Sequence, residues 1–308
     1  MRISSASAFE GTVANLQRRQ QALTEAQQQL TSGKRVQKAS DDPAAAATAE
    51  RALAAMARSE SRQRALDAAK TAMQLGESAL GDAGELLHQA REAVVGAGNG
   101  SYTDADRKNL ADKLSALRSD LLGVANRQDG TGRYLFGGQG IDSPPILETP
   151  SGITYTGTPG EQQAASGESM SMSIDGRAVW LHAPDPNNPA VPVSILDALE
   201  RTITELSTTG RTPAQVSQTV KQGLSDIDAA AGNLSSWRAK AGQALNRADG
   251  IASRLSQTKL DAQTERSNAE DLDMVQAISD FQNKQTGYDA ALKTYSMVQR
   301  MSLFDYLK

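Results

Sequence analysis

The 308-residue sequence predicts a mainly α protein in which N- and C-terminal arms build a long coiled-coil helical bundle, with a small β-rich domain inserted in the middle. Three observations carry this reading. Apolar residues recur at alternating spacings of three and four over most of the chain, the seam of a helix packed on other helices. Aromatics are only 4% of the composition and none falls between Phe9 and Tyr102, which suits long Ala/Leu/Gln/Arg-rich helices better than ordinary compact cores. Eight of the ten prolines lie between Pro144 and Pro192, so the helical pattern stops there and then resumes.

Residues 3 to 31 read as one helix. Phe9, Leu16, Leu23 and Leu30 are seven apart, Val13 takes the second seam position, and Gln20 and Gln27 hold it further on. Polar seam residues can fix register and partner number, or can lie at a wet edge. Gly33 is placed to close this helix. Asp42 is a good N-cap for the next, with Pro43 at its first position. Adjacent Asp41 and Asp42 are read as a cap and a dipole complement rather than a catalytic carboxylate pair.

From Pro43 to about Gly96 the pattern predicts a helix of roughly 80 Å at 1.5 Å per residue. Leu66, Met73, Leu80, Leu87 and Val94 repeat every seven, and Ala69, Gly76, Ala83 and Ala90 follow the first four of them three residues later. Large and small alternate along the seam, which permits close approach of a partner helix. A break falls at Gly96-Ala-Gly-Asn-Gly100. Thr103 and Asp106 then form a capping-box pattern, and Leu110, Leu114, Leu117, Leu121 and Val124 predict a helix returning antiparallel as an αα-hairpin.

Within the Pro-rich stretch, Ile153–Thr156, Met170–Ile174 and Ala178–Leu181 read as short strands, with Asp175-Gly176 as a hairpin turn. So small a unit has little core of its own and is expected to lean on the helices or on a neighbour. Helices resume at Ile195. The seam from Val220 to Ala262 is interrupted only by Arg238 and Lys259. The last helix carries Met274, Ile278, Phe281, Gln285, Tyr288, Leu292 and Tyr295 in heptad register, and five of the twelve aromatics lie beyond Asp271. An apolar stripe of this kind needs a partner, and the N-terminal helix is the natural one.

Composition excludes several functions. There is no cysteine, hence no disulfide framework and no thiol chemistry. Net charge is −4, and no basic stripe interleaved with aromatics points to nucleic acid. Mean hydropathy is −0.47 and no apolar run is long enough to span a membrane, so membrane insertion is not expected. MRISSASAFEGTVANLQ holds no apolar h-region, so no cleavable signal is expected. His88 and His182 have no companion ligands nearby, and no phosphate loop, H-E-x-x-H or G-x-S-x-G occurs, which leaves no cofactor, metal or catalytic site to assign. Gly130, Gly132, Gly137, Gly138 and Gly140 are not followed by a helix and read as a linker.

The ends also carry a family resemblance. Met1-Arg2-Ile3-Ser4, then Leu30-Thr-Ser32-Gly33-Lys34-Arg35-Val36 and Ala39-Ser40-Asp41-Asp42-Pro43-Ala44, resemble the N-terminal signature of bacterial flagellins and their relatives. Arg133-Tyr134-Leu135-Phe136-Gly137-Gly138 and the ending Met301-Ser-Leu303-Phe304-Asp305-Tyr306-Leu307 resemble the hook-associated protein 3 branch rather than flagellin itself. The resemblance covers about residues 1–140 and 195–308, and the insertion matches nothing nameable.

The resemblance implies a structural subunit of the bacterial flagellum at the hook–filament junction, exported unfolded through the flagellar type III apparatus to lie outside the cell. The implied partners are further copies of the chain in a ring, hook-associated protein 1, flagellin, and an export chaperone on the C-terminal region. It implies three parts: residues 1–35 and 270–308 as a terminal coiled-coil domain disordered in the monomer, 36–138 and 195–269 as a helical bundle, and 139–194 as the insertion. Phe9, Val13, Leu16, Leu23, Leu30, Met274, Ile278, Phe281, Tyr288, Leu292, Tyr295, Leu303, Phe304, Tyr306 and Leu307 are then the expected assembly interface. The alternatives are flagellin itself, a non-flagellar coiled-coil scaffold, and a glycan-binding insertion stacking sugars on Trp180 and Tyr155, for which the simpler reading of Trp180 is the one large residue of a small core.

Overall fold

A computed structural model describes residues 2–150, 152–161, 163–164, 167–184 and 192–306. Six helices dominate: α1 (Arg2–Ser32), α2 (Pro43–Ala97), α3 (Asp104–Ala125), α4 (Ile195–Ser207), α5 (Pro213–Glu270) and α6 (Met274–Tyr306). Between α3 and α4 lie two short antiparallel pairs, β1 (Ile146–Thr149) with β2 (Gly152–Tyr155) and β3 (Ala183–Pro184) with β4 (Pro192–Val193). The chain divides into two compact units, residues 1–59 with 257–308, and residues 60–256.

In the larger unit, the large–small alternation of α2 becomes its core. Leu66, Ala69, Met73, Leu80, Ala83, Leu87, Ala90 and Val94 are all buried. Leu80 and Leu87 share one buried cluster with Leu114 and Leu121 of α3 and with Leu234 and Ile251 of α5. Ion pairs give the directions. Lys70–Asp249 at 2.6 Å, Glu77–Arg238 at 2.7 Å and Arg91–Asp228 at 2.8 Å run α5 antiparallel to α2, and Arg127–Asp82 at 2.6 Å turns α3 back along α2. Arg238, which interrupts the seam of α5, is therefore an exposed cross-helix partner of Glu77. The capping box forms as expected, the Thr103 hydroxyl accepting from the Asp106 amide and the Asp106 carboxylate from the Thr103 amide. The amphipathic α4 lies against α3, where the buried Arg118 guanidinium donates to the Leu196 carbonyl at 2.9 Å and pairs with Glu148 and Glu200.

The insertion has no separate core. Phe136, Ile146, Met170, Ile174, Val179 and Trp180 belong to the same buried cluster as Leu80 of α2, Leu121 of α3 and Leu234 of α5. Two expectations are corrected here. Ala178–Leu181 is not a strand but part of a π-helical turn (Arg177–Leu181), whose carbonyls at Ala178 and Val179 accept from the Asn233 amide of α5 at 3.0 and 2.8 Å. Met170–Ile174 forms one isolated bridge, Ser171 to Gln163, rather than a hairpin, and Asp175-Gly176 is not a hairpin turn: Gly176 has φ −63°. Glycine is needed at 176 because a Cβ there would collide with the Phe136 carbonyl oxygen. Trp180 is completely buried, edge-on to Phe136 at 5.1 Å between centroids, so its ring has no face to offer a sugar.

Candidate assembly interface

The signature between Ser32 and Pro43 builds a clamp within the smaller unit. Gly33 takes φ +70° and its amide donates to Gln29, which ends α1 as a glycine C-cap should. The next residues cross to the break between α5 and α6. The amides of Arg35 and Val36 donate to the Glu270 carbonyl at 2.7 and 3.4 Å, and the Leu272 amide donates to the Gly33 carbonyl at 3.0 Å. Arg35 reaches further, donating from Nη2 to the Ala269 carbonyl at 2.7 Å and from Nη1 to Asp42 at 3.2 Å. Glu270 gathers Lys34 at 3.2 Å and Arg266 at 2.7 Å. Cations beside the last carbonyls of α5 also complement its dipole.

The acidic pair is divided between two turns. Asp41 accepts from the amides of Lys38 and Gln37, both at 3.0 Å, and these bonds hold its carboxyl below the usual carboxylate range. Asp42 caps α2 by accepting from the Ala45 amide at 3.0 Å. That bond, then the Arg35 guanidinium, lowers its pKa too. Ser32 accepts from Lys34 and Gln37, Ser40 donates to Asp41 at 3.5 Å, Val36 is buried, and Pro43 opens α2. The signature is thus a tie between sequence-distant helix ends.

The second signature is the hub of the insertion. Leu135 and Phe136 are buried. The Leu135 carbonyl accepts from the Ile174 amide at 3.2 Å, the Gly138 amide donates to Ile174 at 3.3 Å, and the Gly138 carbonyl accepts from the Ser173 hydroxyl at 2.6 Å. The Phe136 carbonyl takes the Gly176 amide at 3.2 Å and the Tyr155 hydroxyl at 3.1 Å, and burial pushes the Tyr155 phenol up to about 12. Gly137 bridges to Asp175. Gly138 has φ +65°, and a Cβ there would collide with the Thr158 carbonyl oxygen. The linker reading of these glycines is corrected: 137 and 138 are fixed points. Tyr134 stays half-buried beside them.

The terminal helices pair antiparallel, α1 facing α6 across a groove lined by Gly11, Thr12, Asn15 and Leu16 on one side and Gly287, Ala290 and Ala291 on the other. Val13, Leu16, Leu23 and Leu30 are half-buried, as are Phe281, Tyr288 and Tyr295. Met274, Ile278 and Leu292 are 44%, 46% and 40% exposed, joined by Val275 at 83% and Met297 at 63%, neither of which the heptad reading had singled out. Gln20, Gln27 and Gln285 face solvent, at the wet edge of the pair. The side chains of Phe9, Leu303, Phe304 and Tyr306, and the whole of Leu307, lie outside the described residues. No described helix is long and apolar enough to cross a membrane.

Sequence reading missed the atoms that make the clamp, the Arg35 side chain to Ala269 and the Arg35 amide to Glu270, because nothing in local spacing announces a bond to a carbonyl at the far end of the chain. It also missed Asn126, whose side-chain amide donates to the Ile146 carbonyl at 2.9 Å and accepts from the Ile146 amide at 3.0 Å, so that it stands in for a strand residue. A polar residue just past the last seam position of α3 was the one available signal.

The family descriptions "bacterial flagellin N-terminal helical region" and "bacterial flagellin C-terminal helical region" match residues 3–140 and 224–307. The chain is 28% identical over 317 residues to flagellar hook-associated protein 3 of Salmonella typhimurium, covering 99% of each chain. It is 26% identical over 291 residues to flagellin of Bacillus subtilis, covering 91% of this chain and 90% of that one. Among solved structures, a putative flagellar hook-associated protein from Vibrio parahaemolyticus has a TM-score of 0.66 at 22% identity, over 75% of this chain and 100% of that one, and shares the fold.

Proposed function

The chain belongs to the bacterial flagellin family, and on that premise we propose that it is a structural subunit of the flagellum at the junction between hook and filament. The observation that carries the junction role, against that of a filament subunit, is the likeness to hook-associated protein 3 over 99% of both chains. The matched span contains Tyr134–Gly138, the hub on which the insertion is hung. The protein serves motility as a building block, and none of the motifs it carries does bond-making chemistry.

The mechanism follows from the unpartnered half of the α1–α6 pair. Met274, Val275, Ile278, Leu292 and Met297 keep apolar surface in water, and each such side chain contributes about 1.5–3 kcal/mol when fully buried. Helices of neighbouring copies supply that burial, so that copies close into a ring, with Phe9, Leu303, Phe304, Tyr306 and Leu307 extending the interface toward the ends. We assign residues 1–35 and 270–308 to the domain that orders on assembly, 36–138 and 195–269 to the bundle, and 139–194 to the insertion. Association supplies the free energy that the ends lack alone. The ring accepts hook-associated protein 1 on one side and flagellin on the other, after unfolded export with a chaperone on the C-terminal region.

The test is copolymerisation. Purified chain is added to hook basal bodies bearing hook-associated protein 1, followed by flagellin. Filament growth that depends on the added chain is the expected result. Growth without it, or none with it, overturns the junction role.

A further inference from the structure

The break between α2 and α3 contains the only Asn-Gly pair in the sequence, Asn99-Gly100. We propose that Asn99 is a site of spontaneous covalent modification which the folded turn promotes, its carboxamide converting through a cyclic imide to aspartate and isoaspartate.

Three features of the turn favour the reaction. Asn99 and Gly100 are exposed, so water and hydroxide reach both. The Asn99 Oδ1 accepts two hydrogen bonds, from the Ser101 amide at 3.1 Å and the Ser101 hydroxyl at 2.9 Å. These draw electron density from the carboxamide carbon and restrain the side chain within the turn. The Gly100 amide makes no hydrogen bond among the described residues, whereas its neighbours are engaged: Asn99 donates to Gly96 and Tyr102 to Asn99, both at 3.1 Å. The nucleophile is free and the electrophile polarised. At Asn15, Asn109, Asn233, Asn246, Asn268 and Asn283, all within helices, the next amide belongs to a regular helical backbone and carries a side chain.

The step balances without oxidant or cofactor. The Gly100 nitrogen loses its proton to hydroxide and attacks Asn99 Cγ. A C–N bond forms, the bond from Cγ to the carboxamide nitrogen breaks, and that nitrogen leaves as ammonia after taking a proton from water. Water then opens the five-membered imide. Cleavage of the Cγ–N bond gives aspartate. Cleavage at the former main-chain carbonyl gives isoaspartate, which moves Cβ into the backbone. Both products add a negative charge. The isoaspartate also lengthens the α2–α3 connection by one carbon and shifts the carbonyl that Tyr102 holds.

The experiment compares the full folded chain with a synthetic peptide of residues 92–107, the tryptic fragment that spans the turn, in mildly alkaline buffer. Mass spectrometry reads the replacement of NH2 by OH, and isoaspartyl methyltransferase labelling reads the rearranged product. The expected result is a folded-chain rate at least equal to that of the peptide, with Ser101→Ala slowing the folded chain but not the peptide. Gly100→Ala slows both by about tenfold, because a Cβ crowds the attacking nitrogen. That variant folds normally, since nothing lies within 4 Å of a Cβ at 100. A folded chain that reacts more slowly than its peptide overturns the proposal, as does labelled product that forms in Gly100→Ala as fast as in the unaltered chain.

Discussion

Ile174 of the insertion occupies the space that Gly76 leaves on α2: a Cβ on residue 76 would stand 2.7 Å from the Ile174 Cδ1. Every other small position of that seam is alanine, so the single glycine marks where the insertion presses on the helix. Gly76→Ala gains about 1 kcal/mol of helix propensity and meets an overpacking cost of about 1–3 kcal/mol. A net loss of about 1 kcal/mol is expected in denaturant unfolding. Ile174→Val is expected to cost stability alone yet recover it in the Gly76→Ala background. Strict additivity of the two changes would count against a direct contact.

Gly138 is held more rigidly, because its neighbour is a main-chain carbonyl rather than the tip of a side chain. Gly138→Ala is expected to destabilise by more than about 3 kcal/mol, combining the left-handed backbone penalty with displacement of Thr158. Gly130→Ala, in open space at an ordinary φ, is expected to be neutral within about 0.5 kcal/mol. Comparable melting temperatures for the two variants would contradict the hub.

The Arg35 bond to the Ala269 carbonyl spans 234 residues. Hydrogen bonds to charged groups contribute about 1.5–3 kcal/mol, and partial exposure here places the effect of Arg35→Ala at the lower end. Amide exchange at residues 33–36 and 270–272 is expected to quicken in this variant, while that of α3 stays unchanged. Arg35→Lys, which keeps the charge but loses the fork, is expected to behave like Arg35→Ala.

Asp41 and Asp42 have folded pKa values below the ordinary 3.8. A depressed carboxylate contributes stability that is complete above its unfolded pKa and lost as pH falls through the folded one. Protection of the 33–42 segment is therefore expected to hold flat from neutrality down to about pH 5 and to decline below about pH 4. Asp42→Asn keeps an N-cap acceptor but abolishes that residue's share of the decline. An acid transition unchanged in Asp42→Asn would remove Asp42 from the clamp's pH response.

Leu292 is 40% exposed, so Leu292→Asp is expected to change monomer stability by less than about 1 kcal/mol. Assembly on hooks is expected to fail, because a charge enters a surface that neighbouring helices must cover. Phe281→Asp, at a half-buried position, is expected to block assembly with a larger stability loss. Normal motile filaments from cells carrying Leu292→Asp would show that this face is not buried.

Helices and their caps were legible because their causes are local: heptad spacing, Asp42 before Pro43, and Thr103 three residues before Asp106. The insertion was not. Asp175-Gly176 has the composition of a hairpin turn, but its glycine exists for closeness to Phe136 rather than for positive φ, and sequence does not distinguish those two uses. Trp180 read correctly as core because one large residue in a small unit has few alternatives. The division of the last helix into covered and uncovered halves was invisible, since periodicity gives a stripe without saying how many partners it has.

The clamp between Gly33 and Leu272 makes the meeting of α1 and α6 an intramolecular event. Once those few bonds form, the two arms start from a common anchor, at an effective concentration set by a tether of almost no length, of the order of millimolar or above. They can zip outward as one chain at subunit concentrations where two separate helices would remain apart. In the proposed assembly, neighbouring copies that cover the exposed face then add the free energy that keeps the zipped pair ordered.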